Sequence, residues 1–368
     1  MKFFCNGMDL SNATNIVSKA IAVNKNIPAL EGIKIKAEDN KVIFCAYNQE
    51  MYIEKTINAE VLIDGEAIVN GKIFNDYANK LSSFDKLDIE KSVDGKIIIN
   101  YEGSDAEINY FELNNFPEFG SFDDEESLEI KEGEFRELLE RAIFCVAVND
   151  NRMLLKSCKI EVLEGKKVEA VCMDGYRICI SQKIVESGKG KLKCNVLGKI
   201  ISDLTKILGD NEDIIKVCQY KKMLIIDLGH TKIRTTTVEG EFYKYENILP
   251  REINTEIIVN KEELENCLIR ASIIARETPS NGIYVKIDDK NINISVKNEK
   301  CKGNEFIKCK KSGEDIGFSI NTKYLQDAVG RIKEDYLKLE IKSSNAPILL
   351  RKIDSDDYRC VILPIRTI

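Results

Sequence analysis

The stretch Val69-Asn-Gly-Lys-Ile-Phe-Asn-Asp-Tyr-Ala-Asn-Lys-Leu81 returns twice, as Val196-Leu-Gly-Lys-Ile-Ile-Ser-Asp-Leu-Thr-Lys-Ile-Leu208 and as Ile320-Asn-Thr-Lys-Tyr-Leu-Gln-Asp-Ala-Val-Gly-Arg-Ile332. The copies share an apolar residue (Val69, Val196, Ile320), a lysine three positions on (Lys72, Lys199, Lys323) and an aspartate four further (Asp76, Asp203, Asp327). Each closes on an apolar residue (Leu81, Leu208, Ile332). An interval of about 125 residues is the size of a domain, so the chain holds three copies of one domain.

Each copy reads as a strand feeding a helix. In the first, Ile73, Tyr77, Ala78 and Leu81 fall on one face, and Lys72, Asp76 and Lys80 on another. In the second, Ile200, Ile201, Leu204 and Leu208 pack and leave Lys199, Asp203 and Lys206 outside. In the third, Tyr324, Leu325, Ala328 and Ile332 pack and leave Lys323, Asp327 and Arg331. A charged stripe is ordinarily a solvated face. Three lysines at one repeat position argue for a shared task.

Each copy also opens alike. MKFFCNG at 1–7, SLEIKEG at 127–133 and TEIIVNK at 255–261 are strands, each followed by an amphipathic run carrying the aligned Ala20, Ala142 and Ala271. Much of the remainder alternates with period two and is punctuated by Asp-Gly at 64–65 and 94–95. The fold class is therefore α+β, with two helices on antiparallel sheets in each domain. Boundaries fall at the acidic stretch 121–127 and at 248–254, each after an aromatic exit (116–119 and 242–245). The expected domains are 1–124, 125–250 and 251–368.

Hydrophobic residues at 43% and charged residues at 31% fit a soluble globular protein. No run approaches the roughly 18 apolar residues of a membrane span. Met1–Phe4 lacks the pattern of a secretory leader, so a cytoplasmic location is expected. The 12 cysteines are scattered without a CxxC pair, and His230 is the sole histidine. Reduced thiols serving as small core hydrophobes are expected, with no metal site and no cofactor. His230, in a Gly-His-Thr turn, reads as a surface residue without a catalytic role. A net charge of −7 opposes a surface that grips phosphates everywhere, yet leaves room for one basic face.

Two other stretches stand out. Asp174-Gly-Tyr-Arg177 is a polar turn between apolar runs, and 358–368 is an almost wholly apolar strand, either in the core or walling a groove. An enzyme built on Asp174, Tyr176 and Arg177 finds no support from a Gly-rich nucleotide loop, metal-ligand spacing or nucleophile–base pair. The acidic cluster at 123–126 lies in a linker. The chain reads as non-catalytic.

These residues carry a resemblance. Met-Lys-Phe at the start, Ile27-Pro-Ala-Leu-Glu-Gly-Ile-Lys-Ile35, Asp174–Arg177, Arg270-Ala-Ser-Ile-Ile-Ala-Arg-Glu277 and the ending Leu363-Pro-Ile-Arg-Thr resemble the bacterial DNA polymerase III beta subunits, the processivity sliding clamps. The resemblance runs the full length, domain for domain. It implies half of a six-domain ring: a head-to-tail homodimer encircling duplex DNA and tethering the replicative polymerase. Lys72, Lys80, Lys199, Lys206, Lys323 and Arg331 would then face phosphates without reading sequence, with Arg152 of the 149–152 loop a further DNA contact.

The resemblance also implies an apolar pocket for short peptides from the polymerase III alpha subunit, the clamp loader and other clamp-motif proteins. Its residues would be Leu155, Met173, Gly175, Tyr176, Arg177, Ile178, Tyr243, Asn247, Ile248, Val361, Ile362, Leu363, Pro364, Ile365 and Arg366. The chain departs from the family pattern at several of these. Gly240-Glu-Phe-Tyr243 stands for Gly-x-Phe/Tyr-Pro, Tyr176 for a histidine, Met173 for a threonine, and Asn247 where some members carry arginine. A divergent second clamp serving a specialised partner is the alternative reading.

Overall fold

Asparagine side chains start four of the helices. Asn6 accepts from the backbone N of Met8 at the head of α1 (Gly7–Val17), and Asn70 from Ile73 in α2 (Gly71–Ala78). The next pair, α3 (Glu132–Ile143) and α4 (Gly198–Ile207), belongs to the second repeat. In the third, Asn260 caps α5 (Lys261–Ala275) through Glu263, and Asn321 caps α6 (Thr322–Val329) through Tyr324. An asparagine oxygen satisfies one of the first-turn N–H groups that a helix leaves unpaired. The computed structural model describes residues 1–22, 27–111, 116–117, 127–164, 166–188 and 190–365. The expected boundary stretch at 121–126 and the exit residues 118–119 lie outside them.

The repeated segment has the expected strand-to-helix form in all three copies. Strands Gly65–Asn70, Lys193–Leu197 and Ile316–Asn321 run directly into α2, α4 and α6. In α2 the packing face is rotated by one residue from the expected one. Phe74, Ala78 and Leu81 are buried at i, i+4 and i+7, while Ile73 is 57% exposed beside Lys72. Phe74 carries the larger side chain, and its ring stacks on the buried Phe44 with centroids 6.5 Å apart. The aligned alanines are all buried: Ala142 in α3, Ala271 in α5, and Ala20 in the 3-10 turn Ser18–Ala20 after α1. At Gly7 a Cβ would come within 2.0 Å of the Leu81 carbonyl, so only glycine lets α1 start this close to the end of α2.

The chain divides into two compact units that share the middle repeat. One comprises Met1–Gly133, Glu186–Leu192 and Lys206–Thr237; the other comprises Glu134–Val185, Lys193–Thr205 and Val238–Ile368. The first contains a 14-stranded sheet in which Thr231–Thr236 of the middle repeat pairs with Met51–Asn58 of the first, Ile233 facing Ile53. The second contains a 12-stranded sheet in which Arg177–Ile184 pairs with Tyr358–Ile362, Cys179 facing Cys360. All ladders among the described residues are antiparallel. The four facing residues at these seams are fully buried.

Strand Tyr358–Ile362 is a core strand, with Tyr358, Cys360, Val361 and Ile362 buried. It stops at Ile362, short of the chain end expected for it. Beyond it the backbone is held by Leu363 N donating to Tyr176 O at 2.9 Å and Ile365 N to Ser319 O at 2.7 Å. No helix among the described residues is long and apolar enough to cross a membrane.

Candidate functional site

The turn at 174–177 is built by one carboxylate. Asp174 Oδ1 accepts from the backbone N of Tyr176 (2.9 Å) and of Arg177 (3.0 Å), while Gly175 takes φ +93° at the corner. That conformation suits a residue without Cβ. The turn pushes Tyr176 outward, 62% exposed, and turns Arg177 inward, 7% exposed.

Arg177 is held by four groups. Its Nε donates to Asp174 Oδ2 at 3.0 Å, one terminal nitrogen to Asp327 Oδ2 at 2.8 Å and the other to the Phe144 carbonyl at 2.8 Å. Its plane lies 4.3 Å from the centroid of the Tyr324 ring. Burial opposes its charge, but the Asp327 and Asp174 carboxylates more than restore it and hold the guanidinium above its ordinary pKa. This anchor fixes Tyr324 in the first turn of α6, with its ring centroid 6.3 Å from that of Tyr176.

The two tyrosines stand at a cavity of about 510 Å³ lined by Tyr176, Ser280, Asn321, Tyr324, Leu363, Pro364 and Ile365. Its volume falls within the usual range of ligand pockets, about 300–1,000 Å³. The lining offers aromatic and aliphatic walls with a few polar atoms. Four expected pocket residues meet here: Tyr176, Leu363, Pro364 and Ile365. Tyr324, Asn321 and Ser280 were not foreseen. The sequence held a sign for Tyr324, since the other two copies carry isoleucine at that place, Ile73 and Ile200.

Other expected pocket residues have different settings. Leu155, Met173, Ile178 and Val361 sit in a closed apolar cluster with Phe242 and Tyr245, all buried. Ile362 is fully buried, and Arg177 supports the cavity wall without lining it. Tyr243 (37% exposed) packs edge-on against Phe242, with centroids 6.0 Å apart. Ile248 is exposed, and Asn247 accepts from Arg251 at 3.3 Å. Gly175 forms the exposed corner of the turn, and Arg366 lies outside the described residues.

The cationic candidates also separate. Lys72, Lys80, Lys199 and Lys323 are exposed and make no ion pair among the described residues. Arg331 is half-buried, its guanidinium 5.5 Å from the Phe144 ring centroid. Arg152 is clasped by Asp150 through Nε at 2.9 Å and a terminal nitrogen at 2.8 Å, which keeps the Asp150 carboxyl well below its ordinary range. Lys206 lines a polar cavity of about 500 Å³ together with Lys55, His230, Asn12, Asn15 and Asp9. His230, expected as plain surface, is exposed and also lines this cavity. Along α3, the Arg136–Glu140 pair (2.9 Å) and the contacts of Arg141 with Glu137 and Asp357 cancel the positive charge internally.

Models of the N-terminal, central and C-terminal domains of the DNA polymerase III beta subunit match residues 1–120, 129–244 and 246–366. A beta sliding clamp of Staphylococcus aureus is 24% identical over 370 residues, covering 96% of each chain. A DNA polymerase sliding clamp from Bacillus subtilis superposes with a TM-score of 0.94 at 22% identity, covering 100% of both chains. A DnaN sliding clamp from Pseudomonas aeruginosa bound to griselimycin superposes at 0.93 and 20% identity, again over 100% of both.

Proposed function

This chain belongs to the DNA polymerase III beta subunit family, and on that premise we propose that two copies close head to tail around duplex DNA and tether the replicative polymerase. The three domains would be 1–124, 125–250 and 251–368, six to a ring. The observation that carries the DNA reading is the threefold lysine: Lys72, Lys199 and Lys323 occupy one repeat position, exposed and without ion pairs among the described residues. Cations free of local partners are available to phosphates, and contacts to phosphates alone allow sliding. Lys80, also exposed and without an ion pair among the described residues, extends this set, and Lys206 is a further exposed candidate at the end of α4. Arg331 and Arg152 carry less weight, because Phe144 covers one and Asp150 neutralises the other.

The cavity at Tyr176 and Leu363 is the proposed seat for peptides of the polymerase III alpha subunit, the clamp loader and other partners. An apolar trough with aromatic walls lets a short extended peptide gain affinity from few anchors. The clamp from Pseudomonas aeruginosa that binds griselimycin shares this fold and supports a ligand-accepting surface. No reaction and no cofactor enter the proposal, and the protein would act in the cytoplasm.

The alternative, a second clamp with a specialised partner, draws support from Tyr176 and Tyr324, which narrow the choice of side chains the pocket can seat. Light scattering at micromolar concentration tests the ring. A molar mass near twice 41.7 kDa supports closure and leads to loading on nicked circular DNA. A mass that stays near 41.7 kDa favours the alternative.

A further inference from the structure

The thiols of Cys145, Cys179 and Cys360 converge at the centre of the second compact unit. Their Sγ atoms all lie within 4.8 Å of one another, and all three residues are fully buried. Cys145 follows the end of α3, its N–H bonded to the Ala142 carbonyl, while Cys179 and Cys360 face each other on neighbouring antiparallel strands. All three are free cysteines. The sequence conceals this group, since positions 145, 179 and 360 share no motif and only strand pairing joins them.

Geometry and charge narrow what the group could hold. Bonds of about 2.3 Å to a three-coordinate centre place the sulfurs roughly 3.5–4 Å apart, inside the 4.8 Å limit that the three Sγ atoms already meet. Among the described residues no fourth cysteine, histidine or carboxylate joins the group, so a tetrahedral zinc site lacks a ligand. A buried site also resists net charge. Three thiolates around a divalent ion leave one negative charge in the core, whereas a trivalent ion leaves none.

We propose that Cys145, Cys179 and Cys360 form a three-sulfur site for a soft, three-coordinate thiophile, with trivalent arsenic as the ion it holds without net charge. Uptake from arsenous acid balances simply. Three As–O bonds and three S–H bonds break, three As–S bonds form, and three waters leave without any change of oxidation state. Soft thiolate sets select such ions over hard ones. Entry requires a local opening of the seam, so binding is slow and is read at equilibrium.

The test uses the full chain, reduced with a phosphine and incubated anaerobically with arsenite. Native mass spectrometry is expected to show one arsenic per chain in place of three hydrogens, and arsenic-edge X-ray absorption three sulfur neighbours. Cys179→Ala and Cys360→Ala should each weaken uptake at least tenfold. Cys158→Ala/Cys172→Ala, which alters a neighbouring buried thiol pair, should retain it. Cadmium(II), offered at the same concentration, should bind more weakly. Absence of stoichiometric arsenic, two sulfur neighbours instead of three, or uptake unchanged in Cys360→Ala each overturns the site. The absorption measurement on the unaltered protein decides the matter even where a variant fails to fold.

Discussion

The guanidinium of Arg177 donates to the Asp327 carboxylate at 2.8 Å, so an aspartate of the threefold sequence repeat is engaged in holding a turn from another repeat. Its counterparts have other settings: Asp76 is exposed on α2 and Asp203 half-buried on α4. The recurring aspartate therefore has no single role across the three copies, and at 327 it supports the cavity. Asp327 holds Arg177, Arg177 stacks on Tyr324, and Tyr324 forms one wall.

Asp327→Ala should destabilise the fold by about 2–4 kcal/mol, because it leaves a buried guanidinium short of one carboxylate. The midpoint of urea unfolding measures this. Combined with Arg177→Ala in a double-mutant cycle, the coupling should exceed about 1 kcal/mol. Additive effects would show that the two side chains contribute separately and that the anchor is an incidental contact.

Tyr176→Ala and Leu363→Ala should each weaken binding of a clamp-motif peptide by about 1–3 kcal/mol, as expected for truncating an anchor in a small apolar trough. Fluorescence anisotropy with a labelled peptide reads the change. The molar mass in solution should stay as in the unaltered protein. Peptide affinity unchanged in both variants would place docking elsewhere, with the closed cluster around Met173 and Phe242 as the next region to examine.

How far the sequence could be read depended on which contacts were periodic. The three strand-to-helix segments follow from the repeat alone, because period 2 passes to period 3.6 at the same place in each copy. The face of α2 was missed by one residue, since Ile73 and Phe74 are both apolar and only the stacking on Phe44 decides between them. The division of the middle repeat between two sheets has no local signature. It rests on the pairings of Ile233 with Ile53 and Cys179 with Cys360, contacts far apart in sequence. The apolar chain end pointed to the cavity wall at Leu363. Ser280 and Asn321 are ordinary turn and cap residues in the sequence, and only the fold brings them to the same opening.

Lys199→Glu combined with Lys323→Glu should reduce retention on circular DNA after loading. It should also lower the salt dependence of DNA association by roughly two in the log–log slope, at about 0.9 per phosphate contact. Arg152→Ala should change either quantity less than Lys199→Ala, because Asp150 already occupies the guanidinium. Loading and slope both unchanged in the double variant would remove these lysines from the DNA surface.

Glu137 sets an acid limit on stability. Burial would raise its pKa, but hydrogen bonds from Lys183 and Lys333 and the charge of Arg141 outweigh it and bring the carboxyl from 4.5 to about 2. Its side chain is 17% exposed, so solvent screens these contacts only in part. A depressed carboxylate pKa contributes stability in full above the unfolded-state value and loses it as the pH falls through the folded-state value. A drop of this size corresponds to about 2–3 kcal/mol at neutral pH. Glu137→Gln should accordingly lower stability by that order at pH 7, and the gap to the unaltered protein should close between about pH 5 and pH 2. Asp357, also depressed by Lys352, Ser355 and Arg141 against the effect of burial, is present in both proteins and cancels from the difference. Thermal unfolding of the pair across that range reads the gap directly. A gap of equal size at pH 2 would mean that Glu137 acts through shape and neutral hydrogen bonds, with its charge irrelevant to the fold.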